Sequence, residues 1–151
     1  MKQLITILLL TLTIVANEYK IGEKINHFNL KDQFTQEHNI SKIPKIIVIA
    51  FEKESSYLFN VYMKNKNNDF LKKHDILFLA DISQMPSFVT TSFALPRMRT
   101  YSYPVLLIYN ENEASRYPYA EQRLTILKLD AGVIKSIGFA SNLKELENDL
   151  K

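Results

Sequence analysis

From Ile46 to Phe51 the chain reads Ile-Ile-Val-Ile-Ala-Phe, a short unbroken apolar run rich in β-branched residues. Such a run predicts a strand buried on both faces, as strands inside parallel sheets are. Ile76 to Ile82 repeats the pattern, with Asp81 interrupting it near the carboxyl end, and Val105 to Tyr109 supplies a third strand. Between the first two, a helix starting at Ser55 or Ser56, either of which can serve as its cap, places Tyr57, Val61, Phe70 and Leu71 near one side. Lys64 to Asn68 forms its wet side. After Met85-Pro86-Ser87, Val89 and Phe93 lie four apart and Phe88 and Leu95 seven apart, which is helical spacing, and Pro96 is expected to kink or end that helix.

Both ends of the chain read as hairpins. Ile25 to Phe34 alternates, with Lys31-Asp32-Gln33 as its turn, and Pro44 then breaks the chain before the next strand. Leu124 to Leu129 and Val133 to Phe139 are joined by Asp130-Ala131-Gly132, where Gly132 can take positive φ. Ala114 to Ala120 reads as a turn or two of helix bent by Pro118. Asn142 caps a last helix whose Leu143, Leu146 and Leu150 form one stripe.

The first residues change the picture of the compartment. Lys2 precedes an uncharged, mostly apolar run from Leu4 to Ala16, and the chain turns polar at Asn17 and Glu18. This predicts a signal peptide over residues 1–16 and a periplasmic or secreted domain over residues 19–151. The run is short of the roughly 20 apolar residues that a span needs, so no stable membrane span is expected once the leader is removed. The chain beyond the leader has the size of one domain, able to bury about two-thirds of its surface.

Cysteine is absent from all 151 residues. Disulfides, thiolate metal sites, thiol redox chemistry and a lipid-bearing cysteine are thereby excluded. The formal net charge is +3 with the basic residues scattered, so no nucleic-acid partner is expected. Lys64, Lys66, Lys72 and Lys73 read as a solvated helix end. His27, His38 and His74 share no ligand spacing, and the glycines beyond the leader, Gly22, Gly132 and Gly138, build no phosphate loop, so neither metal nor cofactor is expected. Tyr101, Tyr103, Tyr109, Tyr117 and Tyr119 suit either a contact surface or packing between helix and sheet.

The order of elements resembles the peroxiredoxin and TlpA-like branch of the thioredoxin superfamily. Ile21-Gly22-Glu23-Lys24-Ile25 through Phe28-Asn29-Leu30-Lys31-Asp32-Gln33 is similar to that branch's opening pattern, and Leu129-Asp130-Ala131-Gly132-Val133-Ile134 to its penultimate turn. The resemblance implies a thioredoxin-like three-layer α/β sandwich: a central mixed sheet with an N-terminal hairpin, and a C-terminal hairpin plus helix. It also implies that Ser56 and Phe59 stand where the family has its two cysteines. Gln122-Arg123 stands where the family has a proline before a strand, unless Tyr103-Pro104 fills that role.

A serine lacks thiolate chemistry, so disulfide exchange and peroxide reduction are not carried over. The expectation is a non-catalytic exported protein that binds another envelope protein, a peptide or a small ligand. On the resemblance, Ser55, Ser56, Tyr57, Gln122 and Arg123 would frame the surface that holds it. The rival expectation is a thiol-independent enzyme using Ser56 with Asp81 or Glu54; Glu52 stands on the same side of the sheet. No Gly-x-Ser-x-Gly elbow surrounds the serines.

Overall fold

The computed structural model describes residues 17–151, so the expected leader lies outside the described residues. Seven strands form one sheet: β1 (Phe28–Asp32), β2 (Glu37–Ile40), β3 (Ile46–Ala50), β4 (Ile76–Asp81), β5 (Leu106–Ile108), β6 (Leu124–Asp130) and β7 (Val133–Ala140), in the order β2-β1-β5-β4-β3-β6-β7. β3 pairs parallel with β4, and β4 with β5; the remaining neighbours are antiparallel. The sheet is mixed, as expected. Five helices accompany it among the described residues: α1 (Lys53–Met63), α2 (Phe70–Lys73), α3 (87–98), α4 (Glu111–Ala114) and α5 (Leu143–Asp149).

Successive residues of a strand face opposite sides, and the two cores follow that alternation. Val48, Ala50, Phe78, Ala80, Leu107 and Ile126 pack with Phe59, Met63, Leu95, Met98 and Leu146 from the helices. Ile47, Ile49, Leu79, Leu106, Ile108 and Leu127 pack on the other side with Tyr19, Ile25, Ala114 and Tyr117. The segment leading to β1 is tied across the C-terminal hairpin, Ile25 N–H donating to Gly132 O at 2.9 Å and Gly22 N–H to Ile134 O at 2.8 Å. Ala131 and Gly132 both take positive φ, 48° and 81°, as a tight two-residue hairpin turn requires.

Several local expectations are corrected. The first hairpin turns two residues later than the sequence pattern implies, with Lys31 and Asp32 still in the strand, because the Asp32 carboxylate organises the turn. Asp32 Oδ1 accepts the Phe34 and Gln36 N–H groups at 2.8 and 3.0 Å, and His38 lies 2.8 Å from Oδ2. α1 begins at Glu52, whose extended backbone forms the cap, and Ser55 is the third residue inside. Its inward face is Ser55, Phe59, Tyr62 and Met63, while Tyr57 is exposed and Val61 only half-buried. Phe70 and Leu71 belong to the separate α2. The helical turn expected at Ala114 to Ala120 lies at Glu111–Ala114, capped by Asn110, which accepts the Asn112 and Glu113 N–H groups. In α5, Leu146 and Leu150 are buried but Leu143 is exposed.

Gln33 is a buried polar side chain whose amide oxygen and nitrogen are both matched. Its Nε2 donates to Tyr103 O at 3.0 Å and its Oε1 accepts the Val105 N–H at 2.9 Å, which satisfies the backbone on both sides of Pro104. Tyr103-Pro104 therefore leads into β5. The strand antiparallel to β3 is β6, so Gln122-Arg123 holds the position before it.

Burial would raise the Asp32 carboxyl, but hydrogen bonds from His38 and the Gln36 and Phe34 N–H groups outweigh that and hold it below its ordinary 3.8. A lowered carboxylate stabilises the fold above its unfolded value, and that contribution is lost as pH falls through the folded one. Asp32→Ala should cost about 1–3 kcal/mol in urea unfolding at pH 7, since two N–H groups lose their acceptor. The deficit relative to the parent should shrink toward pH 3.

Candidate functional site

The carboxyl ends of β3 and β4 pair Ala50 with Ala80. These small side chains leave space between the start of α1 and α3. The result is a cavity of about 330 Å³, walled by Ile82, Met85, Val89, Phe93, Ala94 and Met98 with Ser56, Tyr57 and Tyr101, and bounded by Glu52, Lys53, Asp81 and Arg97. A cavity of this size falls at the lower end of the range for small-ligand sites.

α3 is shaped by its proline. Pro96 lacks an N–H and would clash with the carbonyl four residues back in a regular helix. The chain passes through it because Thr90–Ala94 form a π turn, in which the Leu95 N–H reaches back to Thr90 O. Where the sequence predicts a kink or an end at Pro96, the wider turn lets the helix continue to Met98. Such turns often occur at functional sites. Leu95 and Met98 face the core, whereas Phe88, Val89 and Phe93 face outward, Phe88 and Phe93 being 68% and 63% exposed with their rings edge to face at 5.8 Å. Tyr57, Val89 and Phe93 bring exposed apolar groups to the cavity, and Phe88 packs on Phe93 outside its lining.

Glu52 organises the start of α1. One carboxylate oxygen accepts the Tyr119 hydroxyl at 2.6 Å and the other accepts the Gln122 N–H. The Phe51 and Tyr119 rings meet edge to face at 5.5 Å. Gln122 is held at φ +56°, a left-handed conformation that a non-glycine residue adopts only at a cost of roughly 1–2 kcal/mol. The hydrogen bond to Tyr119 favours its neutral phenol beside the carboxylate and pushes its pKa up to about 12. Asp81 accepts the Ser83 N–H at 2.9 Å. Glu52 and Asp81 also border a second, more acidic cleft with Glu18 and Glu111.

The residues singled out in the sequence are divided by this geometry. Ser56 and Tyr57 line the cavity. Ser55 is buried, its Oγ donating to Glu52 O at 3.0 Å and accepting the Glu52 N–H at 3.2 Å. Gln122 and Arg123 do not line the cavity; the Gln122 N–H is held by Glu52, which borders it. Phe59 is wholly buried and stacks on Phe78 at 4.0 Å. Glu54 lies in the first turn of α1 and does not line the cavity. The tyrosines do not share one face: Tyr101 lines the cavity, Tyr103 and Tyr117 are buried in opposite cores, and Tyr109 and Tyr119 are about half exposed. Of the clustered lysines, Lys66 lies over the Tyr62 ring at 4.6 Å and Lys73 pairs with Asp69. Among the described residues no group of three or more His, Asp or Glu is arranged to hold a metal ion. Sequence reasoning missed the α3 wall, although the four-residue spacing of Val89 and Phe93 was its signal.

No family model matches the sequence, and no curated protein matches it. Solved structures do. A peroxiredoxin-like protein from Aquifex aeolicus superposes with a TM-score of 0.56 at 13% identity, over 90% of this chain and 88% of that one. A thio-disulfide isomerase from Thermus thermophilus gives 0.53 at 20% identity, over 87% and 95%. The thioredoxin domain of a thiol-disulfide oxidoreductase from Bacteroides vulgatus gives 0.53 at 12% identity, over 89% and 100%. The fold is thioredoxin-like. This thioredoxin-like chain carries no cysteine, so a redox thiol pair has no counterpart in it.

The Glu52–Tyr119 contact has a spectroscopic consequence. A phenol raised from 10 to about 12 contributes to stability below pH 10, and the contribution is lost as pH rises through 12. Glu52→Gln should return Tyr119 toward pH 10 in an NMR titration of its ring carbon. A parent Tyr119 that already titrates near 10 would show that the contact is not made in solution.

Proposed function

We propose that this is an exported, non-catalytic binding protein whose working surface is the apolar cavity between α1 and α3. The observation that carries the reading is a ligand-sized apolar space at the carboxyl ends of parallel strands, where open α/β sheets place their sites. The resemblance that sets Ser56 and Phe59 where the family has its thiol pair supports it, because a site without its nucleophile can still bind. Export is supported by the Lys2-to-Ala16 pattern. No helix among the described residues is long and apolar enough to cross a membrane.

The rival reading makes Ser56 a nucleophile with Asp81 or Glu54. A serine needs a base within about 2.6–3.2 Å, itself oriented by a third group. Among the described residues the Ser56 hydroxyl takes part in no such hydrogen bond, and its N–H is engaged by Glu52 O as part of the helix. Ser56 is therefore read as part of the cavity wall.

Fluorescence of Nile red, an uncharged apolar dye, tests the binding reading. The parent should brighten it, Ala94→Phe should abolish the effect by filling the cavity, and Tyr57→Ala should weaken it several-fold with Tm unchanged within about 2 °C. Turnover of an ester, peroxide or disulfide that disappears in Ser56→Ala would overturn the non-catalytic reading.

A further inference from the structure

The geometry points to a medium-chain acyl carboxylate as the ligand of this cavity, with the tail between α1 and α3 and the carboxylate at Arg97 and Lys53; the inference rests on the binding reading above. Four observations carry it. The first is size: about 330 Å³ lies at the lower end of the range for small-ligand sites, room for one short chain of about octanoate size rather than for a bulky ligand.

The second observation is the character of the walls. Ala50, Ala80, Ile82, Met85, Val89 and Phe93 make the wall mainly apolar, and its uncharged polar side chains are the hydroxyl-bearing Ser56, Tyr57 and Tyr101. The third is the state of the strands beneath. β3 lies between β4 and β6, and β4 between β3 and β5, so every edge at the cavity floor is already paired. An extended peptide cannot add there as a strand and would lack a free strand edge as its anchor. A single tail needs none.

The fourth is charge. Four charged side chains border the cavity, and they differ in what they already hold. Glu52 is engaged by Tyr119 and Gln122, and Asp81 by the Ser83 N–H. Arg97 and Lys53 form no ion pair among the described residues. Arg97 stands one residue past Pro96 on α3 and Lys53 opens α1, so the two cations border the cavity from its two helical walls. A guanidinium presents a planar fork that a carboxylate fits with two charge-assisted hydrogen bonds. The carboxylate would thus sit where cations are free, and the chain where water is least well held.

Calorimetric titration of the parent with octanoate, octanol and octylammonium separates tail from head group. The expected result is octanoate binding about tenfold tighter than either, equivalent to about 1.4 kcal/mol. Arg97→Gln should bring octanoate down to the level of octanol, and Arg97→Lys should keep most of the preference. Octanol equal to octanoate in the parent, or a preference unmoved by both Arg97→Gln and Lys53→Gln, would overturn the carboxylate while leaving the binding reading intact. A preference for octylammonium would overturn it in favour of Asp81 as the head-group partner. Failure of all three tails together with failure of Nile red would take down the cavity reading itself. Arg97 is exposed, so its variants should fold; the parent's melting curve is their control.

Discussion

The carboxylate of Glu52 joins parts of the chain that the sequence keeps far apart. It belongs to the cap residue of α1, and it receives the Tyr119 hydroxyl and the Gln122 N–H, which lie 67 and 70 residues away. Without it, the loop before β6 would keep only the Phe51–Tyr119 ring contact beside the helix start, and the left-handed backbone at Gln122 would lose the bond that offsets its cost. A charge-assisted hydrogen bond is about twice as strong as a neutral one, so a single side chain suffices for this joint. In a chain with no cysteine, this tie crosses the end of the sheet at which the first helix starts.

The cavity depends on what Glu52 holds in place. With α1 held at its first turn, Ser55 is directed inward onto the Glu52 backbone and Ser56 and Tyr57 toward α3. Ala50 and Ala80 then decide whether space exists at all, because larger side chains at these strand ends would fill it. On the far wall the π turn before Pro96 carries the helix on to Arg97 and Met98 and leaves Phe88 and Phe93 exposed. Isolated exposed apolar residues are ordinary, but two rings in contact beside a ligand-sized apolar space are not isolated.

Much of the architecture was legible because it rests on local patterns. The continuous apolar runs of β3 and β4 read as doubly buried strands, Asp130-Ala131-Gly132 marked a hairpin, and Asn142 capped the last helix, its side chain accepting the Glu145 N–H. The start of α1 was not legible in the same way. Serines at 55 and 56 satisfy every local rule for a cap, yet the extended residue is Glu52, which forms a capping box with Ser55 and also carries its carboxylate to the distant Tyr119 and Gln122. The inward face of α1 departs from the spacing for a related reason, since a serine can be buried when its hydroxyl returns to the backbone, and that turns Phe59 and Met63 inward instead of Tyr57 and Val61. Of the expected surface, Ser56 and Tyr57 line the cavity, while Gln122 and Arg123 belong to the loop that Glu52 holds, outside the cavity lining. The α3 wall escaped because the four-residue spacing of Val89 and Phe93 marks a helix but not the π turn that carries it past Pro96.

Amide hydrogen exchange in Glu52→Ala tests most directly whether one carboxylate joins the helix start to the loop. If it does, Gln122 and the first-turn amides at Ser56 and Tyr57 lose protection together, while the amides of β1 and β2 at the far edge of the sheet exchange as in the parent. Protection lost in α1 alone, with Gln122 exchanging as before, would contradict it.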